Sequence, residues 1–128
     1  MKVLLDTCAF IWASADRARL SALALEALSL PENELLLSAV SVWEIVTKHA
    51  RGALILPHPP RVLIPEARAL LDLASLDLDE QSALLAASLP QHHRDPFDRM
   101  LVCQALHHGL TILTPDRLIQ QYGVPCLW

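Results

Sequence analysis

Four acids stand where a predicted strand or short loop hands over to a predicted helix. They are Asp6 in Leu4-Leu5-Asp6-Thr7, Glu44 in Ser41-Val42-Trp43-Glu44, Asp98 in Asp95-Pro96-Phe97-Asp98, and Asp116 in Thr114-Pro115-Asp116. In an α/β protein with a parallel sheet, such junctions gather at the carboxyl edge of the strands, where sites form. Carboxylates converging there repel and raise one another's pKa. A divalent cation relieves that repulsion. Hard oxygen donors without His/Cys ligand spacing point to Mg²⁺ or Mn²⁺ rather than zinc. Metal-assisted phosphodiester hydrolysis is the chemistry such a cluster suggests.

Each acid also has a structural explanation. Ser41-Val42-Trp43-Glu44 reads as a capping box, with Glu44 returning a hydrogen bond to the Ser41 amide. Asp95 before Pro96 reads as an N-cap, and Asp98 as the third helical residue after it. Thr114 is placed to cap a helix opened by Pro115, with Asp116 favouring its dipole, and Asp6 to cap the first helix. A cap contributes about 1 kcal/mol. Crowding several like charges costs more than that unless cations or protons intervene, so the joint pattern favours the metal reading. Arg94, Arg99 and Arg117 flank the acids in sequence, either to neutralise carboxylates or to hold phosphates. Glu44 and Lys48 form an i,i+4 pair, ordinarily a solvated helix contact. His92-His93 reads as solvated or substrate-facing, and His107-His108 as cations suiting a helix end.

The elements that must position these residues follow from apolar periodicity. Strands are expected at Val3–Leu5, Glu34–Leu37, Leu110–Leu113 and Val124–Leu127, with a less distinct one over Ala74–Leu78. Helices are expected at Thr7–Ala13, Asp16–Leu30, Ser41–Arg51, Ile64–Leu73 with Pro65 at its start, Asp79–Leu89, Phe97–His108 and Pro115–Tyr122. Pro57, Pro59 and Pro60 make residues 56–61 a loop. The alternation predicts a three-layer α/β/α domain spanning residues 1–128 with a mainly parallel central sheet.

Composition narrows the function. The chain has 128 residues, is 53% hydrophobic and carries a formal charge of −4. That excludes a basic protein that coats nucleic acid, so any nucleic-acid contact must use a local basic patch. The high apolar content fits a buried parallel sheet, a surface that dimerises or binds a partner, or both. Cys8, Cys103 and Cys126 are odd in number, lack a C-x-x-C pair and have apolar neighbours, so they read as reduced, buried thiols of a cytoplasmic protein. Residues 1–15 faintly imitate a signal peptide, but Asp6 interrupts the apolar core. No uncharged run approaches ~18 residues, so no membrane span is expected. A Gly-rich phosphate loop, G-x-S-x-G and D-x-D-x-T are all absent, against a nucleotide hydrolase, an esterase and an aspartyl-phosphate phosphatase. A receiver-like phosphoacceptor needs a late lysine, and the last one here is Lys48. The alternative to an enzyme is a non-catalytic RNA- or protein-binding α/β module whose acids are helix caps.

The ordered set Leu4-Leu5-Asp6-Thr7, Ser41-Val42-Trp43-Glu44-Ile45, Arg94-Asp95-Pro96-Phe97-Asp98-Arg99-Met100-Leu101, Gln104-Ala105 and Leu113-Thr114-Pro115-Asp116 resembles the PIN-domain nucleases. Within that family the chain is similar to the VapC-type toxins of bacterial toxin–antitoxin pairs, from end to end. The resemblance implies a parallel sheet whose acids meet at one edge, and a metal-dependent endoribonuclease that cuts RNA. It implies that Asp6, Glu44, Asp98 and Asp116 form the catalytic, Mg²⁺- or Mn²⁺-binding quartet. Asp95, Thr7 and Thr114 match accessory positions. It further implies a homodimer blocked by a small VapB-like antitoxin, which lays an apolar helix in a groove and pushes a basic residue at the acids.

Overall fold

The computed structural model describes residues 1–128. The strands are β1 (Lys2–Leu5), β2 (Glu34–Ser38), β3 (Leu73–Leu76), β4 (Thr111–Leu113) and β5 (Cys126–Leu127). They form one sheet in the order β3-β2-β1-β4-β5, and every pairing is parallel. The helices are α1 (Thr7–Ala15), α2 (Ala22–Ser29), α3 (Ala39–Ala50), α4 (Pro60–Leu71), α5 (Glu80–Leu85), α6 (Pro96–His108) and α7 (Arg117–Gln120). Short 3-10 turns at Arg17–Arg19 and Ala86–Ser88 complete the order.

Strand side chains alternate between faces, which divides the core in two. Val3, Leu5, Leu35, Leu37 and Leu113 pack with Ala9, Phe10 and Ala13 of α1, Ala24 and Ala27 of α2, Ile45 of α3, and Ile64 and Ala67 of α4. Leu4, Leu36 and Ile112 face the other way, onto Leu101, Val102 and Ala105 of α6 and Ile119 of α7. The expected three layers are therefore present. The near-continuous apolar strands belong to a sheet covered on both faces.

The sheet order reverses at β1. The chain moves outward through β2 and β3, then returns to place β4 and β5 on the other side. The carboxyl ends of β1 and β4 thus flank a topological switch point, the usual crevice for a site in an open α/β sheet. The two ends are tied directly, since the Asp6 amide donates to the Leu113 carbonyl at 3.1 Å.

Several expected helices differ in extent: the one expected over Asp79–Leu89 ends at Leu85, before the second 3-10 turn, and the one expected over Pro115–Tyr122 shortens to Arg117–Gln120. The one expected over Asp16–Leu30 divides, because the Ser21 hydroxyl accepts from the Ala24 amide and caps α2 there. The fourth opens earlier, with Pro60 at its first position, and Pro65 lies inside it on the exposed side. The third begins at Ala39 rather than Ser41, which overturns the capping box. Ser38, the last residue of β2, is the cap: its hydroxyl accepts from the Val40 amide and donates to Gln104 Oε1 at 2.6 Å. Ser41 lies within the first turn of α3, buried, and its hydroxyl has no partner. Ser41→Ala should therefore leave stability unchanged or raise it by up to about 1 kcal/mol. Ser38→Ala should lower it by about 2 kcal/mol, through the lost cap and the orphaned Gln104 carbonyl. Urea unfolding of both variants checks this, and the capping-box reading predicts the loss at Ser41 instead.

Candidate metal centre

The site is built from helix starts around the switch point. Asp6 follows β1 directly and caps α1, its Oδ1 accepting from the Ala9 amide at 2.7 Å. The Thr114 hydroxyl, at the end of β4, donates to Asp6 Oδ2. Thr114 Oγ1 also accepts from the Asp116 amide at 3.0 Å, and Asp116 Oδ1 caps α7 through the Leu118 amide at 2.8 Å. Asp116 is thus the cap itself rather than an acid inside a helix opened by Pro115.

Glu44 comes from the second turn of α3, with its carboxylate turned inward. Thr7 donates to Glu44 Oε1 at 2.6 Å, and Lys48 donates to Oε2. Asp95 Oδ1 caps α6 through the amides of Phe97, at 2.8 Å, and Asp98, while Oδ2 lies 3.8 Å from Lys48 Nζ. Asp98, three residues further and inside the first turn of α6, lines the same space as Asp6 and Glu44.

All five carboxylates line one cavity of about 450 Å³, together with Thr7, Cys8, Lys48 and Arg19. The quartet expected from the sequence is thus assembled in one place, with Asp95 at its rim. Capping and convergence are both observed, because the amides at the helix starts hold the acids where the starts meet.

The electrostatics follow from burial and like charge. Asp6 is 3% exposed, and burial pushes its carboxyl up to about 6, against hydrogen bonds from Thr114 and Ala9 that favour its charged form. Burial followed by the neighbouring Asp95, Glu44 and Asp6 raises Asp98 to about 7, with His93 partly offsetting this. Burial alone would lower the Lys48 ammonium, but its hydrogen bond to Glu44 and the acids around it raise it instead. Burial, then Asp6, pushes the Cys8 thiol up to about 12, which agrees with an inert thiol rather than a nucleophile.

The basic residues differ from those expected. Arg94 and Arg117 are exposed and do not line the cavity. Arg99 is also absent from its lining. The Arg99 guanidinium donates to the carbonyls of Pro90, Ala86 and Leu89 and to the Tyr122 hydroxyl, fastening the loop before α6. The cavity's cations are Lys48 and Arg19. Arg19 pairs with Asp16 at 3.3 Å and lies over the Trp12 ring. The i,i+4 spacing of Glu44 and Lys48 signalled that pair, although it faces the site rather than solvent. Nothing in the sequence marked Arg19. His93, expected to be solvated or to face substrate, instead lies with its Nε2 2.8 Å from Asp116 Oδ2 and 3.1 Å from Asp98 Oδ2.

A divalent cation fits this donor set. Four carboxylates share one cavity, two are held well above the usual carboxylate range, and the two oxygens of Asp98 alone among their eight accept no hydrogen bond.

Comparison with known proteins finds likenesses along nearly the whole chain. The family model of the PIN domain matches residues 3–125. A relative named Ribonuclease VapC22, from Mycobacterium tuberculosis (strain ATCC 25618 / H37Rv), is 29% identical over 126 residues, covering 96% of this chain and 93% of its own. Among solved structures, VapBC2 from Rickettsia felis, bound to a DNA fragment from its promoter, superposes with TM-score 0.73 at 12% identity, covering 98% of this chain and 96% of that one. VapBC-1 from nontypeable Haemophilus influenzae gives TM-score 0.69 at 20% identity, with 98% and 96% covered. FitAcB from Neisseria gonorrhoeae gives 0.67 at 23%, with 97% and 95% covered. These structural likenesses bear on the fold.

Proposed function

The chain belongs to the PIN-domain family, and from that membership and the acidic cavity we propose that it is a metal-dependent endoribonuclease, the toxin of a toxin–antitoxin pair. The carrying observation is the convergence of Asp6, Glu44, Asp98 and Asp116 on one cavity that also holds two cations. The relative's name, Ribonuclease VapC22, supports RNA as the substrate.

In this reading the quartet holds Mg²⁺ or Mn²⁺. When bound, the ion supplies Lewis-acid chemistry, polarising a phosphoryl oxygen and acidifying water. A carboxylate of the cluster, Asp98 or Asp116, takes the proton of the attacking water. Lys48 and Arg19 hold the RNA phosphates, displacing Arg94, Arg99 and Arg117 from that assignment. Thr7 and Thr114 fix the rotation of Glu44 and Asp6 through their hydrogen bonds.

The partner is a small VapB-like antitoxin. Val40, Trp43, Leu78, Pro96, Phe97 and Met100 line an apolar groove of about 190 Å³, and Trp43 there is 65% exposed. Phe97 adjoins Asp98, so a helix in the groove lies within reach of the acids. The VapBC structures among those similar to this chain support this partner, and the exposed apolar surface supports a homodimer. No helix is long and apolar enough to cross a membrane. Three free cysteines support a cytoplasmic setting.

Cleavage of defined RNAs by the purified, antitoxin-free protein tests the proposal. Activity is expected with Mg²⁺ or Mn²⁺ and none with EDTA. Cleavage that EDTA leaves intact would overturn the metal reading. Absence of cleavage of every RNA under all conditions would favour a binding module with capping acids.

A further inference from the structure

His93 is held more firmly than a loop histidine requires. Its amide donates to the Tyr122 hydroxyl at 2.9 Å, and Arg99 donates to the same hydroxyl at 3.0 Å while tying down the carbonyls of the preceding loop. The ring is fixed at both nitrogens. The Asp95 amide donates to Nδ1 at 3.1 Å. A backbone amide has one hydrogen and only donates, so Nδ1 must present its lone pair and the ring hydrogen sits on Nε2. That hydrogen goes to Asp116 Oδ2 at 2.8 Å, and Nε2 also stands 3.1 Å from Asp98 Oδ2, a close polar contact without a second hydrogen bond.

His93, Asp98 and Asp116 lie close enough to serve together as metal ligands. The hydrogen-bond directions argue otherwise for the imidazole. The nitrogen facing the acids carries a hydrogen, and the lone pair points at the Asp95 amide. The ring also stands behind the carboxylates, since Asp98 and Asp116 line the cavity and His93 does not.

We propose that His93 is a positioning residue of the acidic site: its Nε2, hydrogen-bonded to Asp116 before α7 and in close polar contact with Asp98 on α6, sets the two carboxylates for a divalent cation without ligating it. This rests on the quartet being a metal site. Without the ring between them, two like charges from separate helices face each other and rotate apart. With it, Asp116 Oδ2 is held by a hydrogen bond, Asp98 Oδ2 lies against the same nitrogen, and Asp98 Oδ1 stays free. Partners of this kind, hydrogen-bonded behind the ligands, typically govern metal affinity by ~10–100-fold.

Mn²⁺ binding to the full chain, followed by electron paramagnetic resonance and calorimetry, tests this without any RNA. The parent protein should bind Mn²⁺ with no signature of a directly bonded imidazole nitrogen. His93→Ala should weaken binding ~10–100-fold. His93→Gln, whose side-chain amide places a donor where Nε2 stands, should bind close to the parent. Thermal melts identify a variant that fails to fold. If His93→Ala does so, the parent's spectrum and His93→Gln still decide the question. A nitrogen coupling in the parent that disappears in His93→Gln would make the ring a ligand and overturn the proposal. So would parent-like affinity in His93→Ala, or a His93→Gln protein that folds but binds as weakly as His93→Ala. A parent protein that binds no Mn²⁺ would remove the metal reading itself, and the proposal with it. Binding by the parent that the substitutions leave unchanged would remove only the proposal.

Discussion

Asp6→Asn should abolish RNA cleavage and, at the same time, make the metal-free protein harder to unfold at pH 8. The two effects have one origin. Asp6 is buried among acids that raise it, and at pH 8 it must carry its charge there. An asparagine keeps the shape: its Oδ1 accepts the Ala9 amide, and its Nδ2 donates to a Thr114 hydroxyl that turns to receive it. The repulsion and the burial of charge disappear, which should stabilise the fold by about 1–3 kcal/mol. Removing a ligand from the cation forfeits several kcal/mol of transition-state stabilisation, or at least a ~10³-fold loss of rate. Single-turnover cleavage and a thermal melt in EDTA check the pair. If Asp6 were only a cap, the substitution would leave cleavage unaffected; a melt with no gain at pH 8 would contradict the raised carboxyl.

Stability of the metal-free protein should fall as pH rises from 5 to 8, and Mg²⁺ should reverse the fall. Asp6 at about 6 and Asp98 at about 7 are both raised in the folded state above the ordinary value of 3.8. Between the unfolded and folded values the native state binds more protons than the unfolded chain. Stability therefore decreases with pH through that window. These groups' contribution is complete below about pH 4 and lost above about pH 7. A shift of about two units at Asp6 alone corresponds to about 3 kcal/mol. A cation that binds only the folded form restores about 2.7 kcal/mol at a hundred times its dissociation constant. Urea unfolding at pH 5, 6.5 and 8, with and without Mg²⁺, gives the result. Curves that stay parallel in pH and indifferent to Mg²⁺ would contradict the raised carboxyls and the metal site together.

The layers and the acidic quartet were legible because both are written in short-range signals. Leu4 against Val3 and Leu5, and Leu36 against Leu35 and Leu37, assign the two faces of a sheet covered on both sides. Asp6, Asp95 and Asp116 mark helix starts, and helix starts meet at one edge. Glu44 was found for a partly mistaken reason. Ser41 and Glu44 have capping-box spacing, but β2 runs straight into α3 through Ser38, so the spacing describes one face of a helix instead. β3 was indistinct because it is an edge strand, half-exposed beyond Leu73. The cations were misassigned because nearness in sequence is not nearness in space. Arg99 lies one residue from Asp98 yet serves the Pro90 loop, whereas Arg19 reaches the cavity from a 3-10 turn that the apolar pattern merged into a helix.

The bond between Thr114 and Asp6, 108 residues apart, orders events during synthesis. Asp6 and β1 emerge early, but β4, which lies against β1 in the finished sheet, is translated about a hundred residues later. Pairings so distant close only after the intervening chain exists. Until then Asp6 has no Thr114 and the cluster has no Asp116. The ribosome, itself largely RNA, meets no complete acidic centre on the chain it is extending. Translation products that stop before Thr111 carry three of the four acids but neither Thr114 nor Asp116.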